Sequence, residues 1–345
     1  MFKDRSNQHR RGSVKWIARV AMLTALLALA GCASQPTAMP AAVEARQPAA
    51  TATVENVEPT AAEPAAEVDP PAAKPPPEDG VKWTFKAGNQ IRSVPTVSEG
   101  VIYFGCDDKH LYAVDLETGQ EIWKVAVPTQ APIYSSPAVA DGLVYFGSLE
   151  NHLYALDRQT GQEVWQFETG GPVFASPTVA GGLVYFGSDD GYFYALDSQT
   201  GQEVWKFETK DAMDSRAAVS NGLVYLGTGP VWPLARSNNP QHHLFALASQ
   251  TGQEKWRFEA GGNFATSPAI AGGVVYAANA DGSLYALDSE TGQELWMFAA
   301  QGPISSSPAV AEGVVYIFSQ DHRLYAVDRQ TGQELWNFET NTVYS

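Results

Sequence analysis

Residues 194–205, Tyr-Ala-Leu-Asp-Ser-Gln-Thr-Gly-Gln-Glu-Val-Trp, contain the phrase that decides the fold. Its core, Thr-Gly-Gln-Glu-x-Trp, occurs six times along the chain. The six tryptophans are 42, 40, 51, 40 and 40 residues apart: Trp123, Trp165, Trp205, Trp256, Trp296 and Trp336. Trp83 precedes the first of them by another 40 residues. A period of about 40 residues is typical of a four-stranded propeller blade and not of a helical repeat.

Each repeat predicts four strands. In the unit that contains Trp205 we expect them at residues 175–180, 183–188, 192–197 and 203–207. The second and third strands are nearly continuous apolar runs, as expected of strands buried on both faces between neighbouring blades. The last strand alternates polar and apolar residues, which fits an outer, half-solvated strand. The fold class is therefore all-β, a β-propeller.

The shared phrase has a structural role in every copy. An aspartate such as Asp197 ends the third strand and can accept backbone N–H bonds in the turn that follows, where glycine supplies a positive φ. The indole that comes next is a large flat surface that can wedge between blades, with its N–H free to find a carbonyl. Trp83 and the six repeat tryptophans are therefore predicted to be structural docking residues and not a functional site.

The pattern Ala-Leu-Asp-x-x-Thr-Gly-x-x-x-Trp resembles the tryptophan-docking motif of the PQQ (pyrrolo-quinoline quinone) repeat propellers, and the resemblance covers residues 81–345. That family includes quinoprotein dehydrogenases and BamB-like outer-membrane assembly lipoproteins. The dehydrogenases hold PQQ and Ca²⁺ in a central funnel, with a catalytic Asp and commonly a disulfide between adjacent cysteines. This chain has no Cys-Cys pair, and no position matches the catalytic motif. We therefore predict no catalytic residue and no cofactor.

The number of blades departs from that resemblance, since the family's propellers have eight blades and this chain has six repeats. Two short segments are left over: residues 81–85, which match a last strand, and Val343-Tyr344-Ser345, which match the opening of a first strand. We predict six closed blades with an extra outer strand. A seventh, partial blade that joins the two ends is an alternative, and a ring made of two chains is another.

The first 32 residues predict a lipoprotein signal peptide. Six basic residues against one acid occupy positions 1–19, and an apolar run of eleven residues, Val20 to Ala30, follows. A membrane-spanning helix needs about twenty residues, so this run is too short to be one. It ends in Leu29-Ala30-Gly31-Cys32, which resembles the bacterial lipobox and implies lipidation of Cys32. An ordinary cleaved secretory signal is the alternative.

Residues 33–80 predict a disordered tether, because they contain 10 Pro and 14 Ala and no aromatic residue. Such a segment cannot bury enough apolar surface to offset the entropy of ordering it. The resemblance implies an outer-membrane protein facing the periplasm if the cell has two membranes, because Ala33 and not Asp follows the cysteine. In a cell with one membrane we expect the outer face of the cytoplasmic membrane. The lipid anchor would be the protein's contact with the membrane.

The composition argues against several other functions. The chain carries 38 acidic against 22 basic residues, a net charge of -16, and an acidic surface repels the phosphates of nucleic acids. Its two cysteines cannot form a disulfide framework, and no Cys/His cluster indicates zinc. If Cys32 is lipidated, Cys106 has no intramolecular disulfide partner.

Acidic turns recur between the second and third strands, at residues 107–108, 189–190, 281 and 321. Their carboxylates are of the type that binds Ca²⁺, which needs six to eight converging oxygens. We expect hairpin turns instead, since Asp-Gly favours a hairpin and the turns lie one blade apart. Histidines precede the third strand in three units, and we interpret them as solvated rim positions and not as a metal site: His110, His152 and His243.

The fourth unit alone departs from the repeat in a way that a propeller does not require. Its hairpin between the second and third strands grows to residues 227–243. The same unit has Arg216 where four others have Pro, and Ala248 replaces the turn aspartate. We interpret these changes as specialisation of one face for a partner. The candidate binding residues are Trp232, Leu234, Arg236, His242, His243 and Arg216. A tolerated loop insertion is the alternative.

These observations favour a non-catalytic, lipid-anchored scaffold that binds other envelope proteins. Its most specific form, implied by the resemblance, is a BamB-like factor that works with the β-barrel assembly machinery. The alternative is a PQQ-dependent quinoprotein or another small-molecule-binding propeller that uses the central funnel. A structural or sensory module that recognises a polymer or a sibling domain is a third hypothesis.

Overall fold

The structure of the protein is a computed structural model that describes residues 80–127, 131–229, 242–264 and 266–340. These residues form six four-stranded antiparallel sheets, each built from four consecutive strands. This arrangement confirms the predicted all-β propeller with six four-stranded blades. Among the described residues no helix is long and apolar enough to span a membrane. The predicted signal peptide, Cys32 and most of the tether lie outside the described residues.

The blades follow one another along the chain. Blades 1 to 3 consist of β1 Thr96–Ser98, β2 Val101–Gly105, β3 His110–Asp115, β4 Glu121–Ala126; β5 Ala138–Ala140, β6 Leu143–Ser148, β7 His152–Asp157, β8 Glu163–Glu168; and β9 Thr178–Ala180, β10 Leu183–Gly187, β11 Tyr192–Asp197, β12 Glu203–Glu208. Blades 4 to 6 consist of β13 Ala218–Ser220, β14 Leu223–Gly227, β15 His242–Ala248, β16 Glu254–Ala260; β17 Ala269–Ala271, β18 Val274–Ala278, β19 Ser283–Asp288, β20 Glu294–Ala299; and β21 Ala309–Ala311, β22 Val314–Ser319, β23 Arg323–Asp328, β24 Glu334–Glu339.

Burial within a blade follows the predicted pattern, as blade 3 illustrates. All of β10 is buried, and so are the four central residues of β11, whereas β12 has exposed and covered residues in alternation. The first strand is shorter than predicted, because β9 begins at Thr178 and not at residue 175. Pro177 precedes it and has no N–H to donate to a ladder. Residues 175–177 instead connect neighbouring blades.

The core of the protein lies between blades. One buried cluster joins Tyr145 and Leu153 of blade 2 to Val184 and Phe186 of blade 3, and equivalent clusters follow around the array. The short first strands of successive blades contact one another, β1 with β5, β5 with β9, β9 with β13, β13 with β17 and β17 with β21. They therefore line the inner side of the blades.

The repeat tryptophans join each blade to the next. The indole N–H of Trp205 donates to the carbonyl of Ser249 in blade 4 at 2.9 Å, and Tyr185 donates its hydroxyl to the same oxygen at 3.1 Å. Equivalent indole bonds of 2.9 or 3.0 Å are made by five other tryptophans: Trp83, Trp123, Trp165, Trp256 and Trp296. Each bond spans two successive structural units, so the indole is a plug between blades.

The glycine of the repeated phrase is the socket for that plug. Gly252 has a φ of +68°, and a Cβ atom placed on it would lie 2.6 Å from the Trp205 ring. Glycine is therefore required twice over, for its backbone conformation and for the space that the indole fills. The same contact recurs between Gly201 and Trp165, and between Gly292 and Trp256.

The two ends of the array differ. Trp83, Phe85 and Ala87 cover the buried cluster of blade 1 that contains Phe104, and Cys106 there is a buried free thiol. At the other end, Trp336 is 46% exposed and Phe338 is 63% exposed, and every residue of β24 is exposed. Among the described residues Trp336 donates no indole hydrogen bond like the other six. The predicted Val343-Tyr344-Ser345 strand lies outside the described residues.

Candidate functional site

The enlarged hairpin of blade 4 connects β14 to β15. Its candidate residues Trp232, Leu234 and Arg236 lie outside the described residues, but both ends of the loop are described. The Thr228 N–H donates to the His243 carbonyl at 2.9 Å, and the His243 N–H donates to the Thr228 hydroxyl oxygen at 2.9 Å. The loop therefore starts and ends at a hydrogen-bonded pair of residues.

The base of this loop is also bonded to the chain on either side. Gly229 donates its N–H to the Ala212 carbonyl at 3.0 Å, and the Phe264 N–H of the connection to blade 5 donates to the Thr228 carbonyl at 2.9 Å. Gly229 has a φ of +111°, and a Cβ there would lie 2.2 Å from the Asn263 side chain. These contacts hold the base between blades 4 and 5.

His242 forms an ion-pair contact at the same place. Its Nδ1 lies 2.8 Å from Oδ2 of Asp211, whose side chain is 1% exposed. His243 points elsewhere and lies against the Phe245 ring, with 5.3 Å between ring centres. His242 is thus a further anchor of the loop, and the neighbouring histidine packs on the blade.

Arg216 lies at the inner side of the blades and not in the loop. It borders a cavity of about 290 Å³ whose walls come from the first strands of blades 1 to 4, including Thr96, Val139, Thr178 and Ala217. Its Nη2 donates to the Pro137 carbonyl of blade 2 across 3.5 Å. The guanidinium therefore reaches past blade 3.

The alignment that paired Arg216 with proline is wrong by one residue. The Thr178 hydroxyl donates to the Ala217 carbonyl as the Thr96 hydroxyl donates to the Pro137 carbonyl, so Ala217 occupies the proline position. The Arg216 position holds serine in four other blades: Ser136, Ser176, Ser267 and Ser307. Unit four has Ala217 where the other units have proline, so its sequence lacks the residue that marks this position.

The departures of unit four do not all lie on one face. Along the β14–β15 pair, Gly227 lies opposite Leu244 at the loop end, whereas Leu223 lies opposite Ala248 at the other end. Ala248 and the loop are therefore at opposite ends of the blade. Arg216 follows a segment that runs beside the base of the loop, since Met213 pairs with Gly229 and the Ser215 hydroxyl donates to the Gly227 carbonyl at 3.3 Å.

The acidic turns form clamps within the fold. Oδ2 of Asp190 accepts the Gly170 N–H at 2.8 Å and the Tyr194 hydroxyl at 2.7 Å. Asp108 does the same with Gly88 and Tyr112. Each carboxylate ties its turn to the preceding connection and to the third strand. The recurring spacing Asp-x-x-x-Tyr is the sequence signal for this role, and the preference of Asp-Gly for a hairpin does not by itself predict it.

Asp189 differs from the clamping acids Asp108 and Asp190. Its Oδ1 is buried and has no hydrogen-bond partner among the described residues. Burial raises the pKa of Asp189 to about 7, with further contributions from the charges of Asp214 and Asp190. Asp189 belongs to blade 3 and Asp214 to the connection that enters blade 4. The charges of these two carboxylates therefore repel each other across the junction between the blades.

The predicted rim histidines make local contacts. His110 Nδ1 lies 2.8 Å from the Asp108 carbonyl, and His152 Nδ1 lies 2.6 Å from the Glu150 carbonyl. In the part of the chain that the structure describes, no three His, Cys, Asp or Glu side chains come together in a way that could hold a metal ion.

Comparison with known proteins gives a family match over the propeller. A family model described as the outer membrane protein assembly factor BamB matches residues 76–137, 107–238 and 240–344. A curated relative, an uncharacterized protein of Methanocaldococcus jannaschii, is 36% identical over 52 residues, which are 14% of this chain and 6% of that protein's length.

Several solved structures share the fold. The chain is similar to BamB from Moraxella catarrhalis, with a TM-score of 0.63, 21% identity, and coverage of 75% of this chain and 79% of that one. It is also similar to the computationally designed Ika8 protein, with a TM-score of 0.60, 20% identity, and coverage of 71% and 73%. For a quinohemoprotein alcohol dehydrogenase from Pseudomonas putida the TM-score is 0.52, the identity 20%, and the coverage 59% and 41%.

Proposed function

Because the chain belongs to the family of the outer membrane protein assembly factor BamB, we propose that it is a non-catalytic, lipid-anchored scaffold of the cell envelope that takes part in assembling outer-membrane β-barrel proteins. The observation that carries this proposal is the family match over residues 76–344. The scaffold would bind envelope proteins, among them members of the β-barrel assembly machinery.

The proposed anchor is Cys32. The short apolar run, the lipobox-like Leu29-Ala30-Gly31-Cys32 and the Pro/Ala-rich residues 33–80 suit a propeller held away from a membrane by a tether. In a cell with two membranes this places the propeller in the periplasm at the outer membrane. In a cell with one membrane the propeller stands on the outer face of the cytoplasmic membrane.

The proposed partner surface is the loop of residues 230–241. Its base is held by Thr228, Gly229 and His242, which bond to blade 4 and to the connections on both sides. A loop displayed from a rigid base loses less conformational entropy on binding than one that starts from mobile strands. Trp232, Leu234 and Arg236 supply residue types that are common in binding hot spots.

The proposed scaffold needs no cofactor. The cavity at Arg216 offers a single guanidinium within a mainly apolar lining, whereas PQQ carries three carboxylates. The described residues also lack a group of three side chains that suits Ca²⁺. The residues present therefore do not fit the cofactor pair of the dehydrogenases, and no redox step is assigned to this chain.

Crosslinking in cells tests the proposed partner. A tagged full-length protein would be crosslinked, captured and analysed by mass spectrometry, together with a variant in which Trp232, Leu234 and Arg236 are changed to Ala. We expect the unchanged protein to recover β-barrel assembly components and the variant to lose them. A matched control changes Val164 and Val204 to Ala, since both are exposed on outer strands at 50% and 48%.

The results separate the parts of the proposal. Equal capture by the loop variant and the control would contradict the loop assignment, and capture of no assembly component by any protein would contradict the function. A Cys32→Ala variant should lose lipid labelling and leave the membrane fraction, and retention of label would contradict the anchor. A saturable, Ca²⁺-dependent change in fluorescence on adding PQQ, with dye-linked alcohol oxidation, would establish the quinoprotein alternative instead.

A further inference from the structure

The inner cavity beside Arg216 has features that the scaffold function does not use. It measures about 290 Å³, near the lower end of the range for ligand pockets, and its walls include Val139, Pro177 and Val179. The hydroxyl protons of its two threonines are already committed, from Thr96 to the Pro137 carbonyl at 2.6 Å and from Thr178 to the Ala217 carbonyl at 2.7 Å. Of the side-chain donors of this lining, those of Arg216 therefore remain for a ligand.

Among the described residues, the guanidinium of Arg216 has few hydrogen-bond acceptors and no carboxylate that affects its pKa. The hydrogen bond that the described residues provide is the long one to the Pro137 carbonyl at 3.5 Å, and its Nε is shielded from solvent without an acceptor among those residues. Burial lowers the pKa of this guanidinium, and no acidic residue contributes to that shift. A half-buried cation whose Nε lacks an acceptor among these residues gains by binding an anion.

The fold does not require an arginine at this position. In the other blades a chain of backbone-to-serine bonds runs along the cavity: Val94 N–H to Ser136 Oγ, Ser136 N–H to Ser176 Oγ, and Ser267 N–H to Ser307 Oγ, at 2.9, 2.9 and 3.0 Å. Arg216 donates its own N–H to Ser267 Oγ but has no Oγ to accept the Ser176 N–H. The arginine therefore gives up a structural hydrogen bond and adds a charge.

We propose that Arg216 and the apolar walls around it form a binding site for a small organic carboxylate that carries an apolar group. A guanidinium presents parallel N–H donors that match the two oxygens of a carboxylate. The site has one cation, which suits a monoanion better than a phosphate dianion. Val139, Pro177 and Val179 would receive the apolar part of the ligand, as hydrophobic walls do in small-molecule sites. The argument for this site uses none of the candidate loop residues 230–241, so it does not depend on the proposed scaffold function.

Calorimetric titration with sodium benzoate tests this site. The full-length protein in detergent solution would be titrated with benzoate and, separately, with benzyl alcohol, which has the same ring without the charge. Two variants are compared with it, Arg216→Ser and Arg216→Lys. The serine variant restores the residue of four other blades and the acceptor for the Ser176 N–H, so we expect it to fold with an unchanged or higher melting temperature.

We expect benzoate to saturate the unchanged protein and benzyl alcohol to give no saturable heat. Removing a charged hydrogen-bond partner should weaken benzoate binding by about ten- to a hundredfold in Arg216→Ser. Arg216→Lys should lie between the two, since it keeps the charge but loses the planar fork. Equal benzoate affinity in the folded serine variant, or no saturation by the unchanged protein, would overturn the site. Equal competition by inorganic phosphate would overturn its assignment to carboxylates.

Discussion

Trp205 and Trp336 stand in the same sequence phrase but in different surroundings. Trp205 is 8% exposed, donates its indole N–H to Ser249 and fills the space beside Gly252. Trp336 is 46% exposed and has no such acceptor among the described residues. Four of the six blades thus present both a socket and a buried plug. Blade 5 presents a socket and the half-buried Trp296, and blade 6 presents its tryptophan to solvent. The motif supplies the indole, but its burial comes from the following blade.

The largest expected effect comes from removing the plug itself. Trp205→Ala should lower the free energy of unfolding by about 3–5 kcal/mol, because it leaves a cavity at the junction of blades 3 and 4. Trp336→Ala should lower it by less than about 1 kcal/mol, as for an exposed residue. Urea unfolding of the two variants measures the difference. Equal losses would mean that the blade 6 face is covered in solution, and the comparison would fail.

The socket gives the next largest effect. Gly252→Ala would place a Cβ 2.6 Å from a buried indole, whereas Gly222→Ala, at a similar φ of +75°, meets nothing within 4 Å. Both variants carry the left-handed backbone penalty of about 1–2 kcal/mol. Overlap with Trp205 should add about 1–3 kcal/mol in Gly252→Ala alone. If both variants lose the same stability, the indole does not occupy the socket as described.

The fold could be predicted from the sequence because the phrase Thr-Gly-Gln-Glu-x-Trp contains both the glycine socket and the tryptophan plug that join successive blades. The six repeats indicated the blade count, and the apolar runs identified β10 and β11 as buried strands. The exposure of Trp336 could not be predicted, since the local sequence around it is the same as around Trp205. Whether an indole is covered depends on residues more than thirty positions away.

The candidate site was less predictable, and the reasons are physical. The sequence predicts the wrong repeat position for Arg216, because unit four lacks the proline that marks this position in the other units. The bonds from Thr178 to Ala217 and from Arg216 to Ser267 give the correct register. The inner cavity is made by first strands of four blades, so no single repeat contains its pattern. The separation of Ala248 from the loop follows from strand direction and required the strand register.

A smaller effect concerns the charge at the junction of blades 3 and 4. Asp189 has a folded pKa of about 7 against an ordinary value of 3.8, so between these values the folded protein binds a proton that the unfolded chain has lost. Stability therefore falls as the pH rises from about 4 to about 7 and changes no further above that range.

Blade 6 has a glutamine at the position that corresponds to Asp189, so Asp189→Gln is a substitution that the fold already accommodates elsewhere. Gln320 occupies the same turn position, with its N–H bonded to the Pro303 carbonyl as that of Asp189 is bonded to Pro172. Asp189→Gln should remove the fall in stability and raise the melting temperature more at pH 8 than at pH 4. Melting curves at several pH values test this. A pH profile unchanged by the substitution would show that Asp189 keeps its charge at an ordinary pKa.

The smallest effect lies in the turn that receives Trp205. In the neighbouring blade, Oδ1 of Asp197 accepts the N–H of Gln199, the N–H of Thr200 and the Thr200 hydroxyl, at 3.1, 2.8 and 2.8 Å. Blade 4 has Ala248 instead, yet its Gly252 N–H still donates to the Ala248 carbonyl at 2.8 Å, as the Gly201 N–H does to Asp197 at 2.9 Å. The backbone frame of the socket therefore forms without the carboxylate.

Ala248→Asp should add those acceptor bonds to an existing frame and raise the free energy of unfolding by up to about 1 kcal/mol at neutral pH. The hydrogen bonds from Thr200 hold the pKa of Asp197 below its ordinary value, and the new carboxylate should behave alike. Its contribution is then present at neutral pH and lost as the pH falls below about 3.8. Asp197→Ala is the reverse control and should lose a similar amount. A gain in Ala248→Asp that persists in acid would show that the aspartate stabilises the turn by packing and not by accepting hydrogen bonds as an anion.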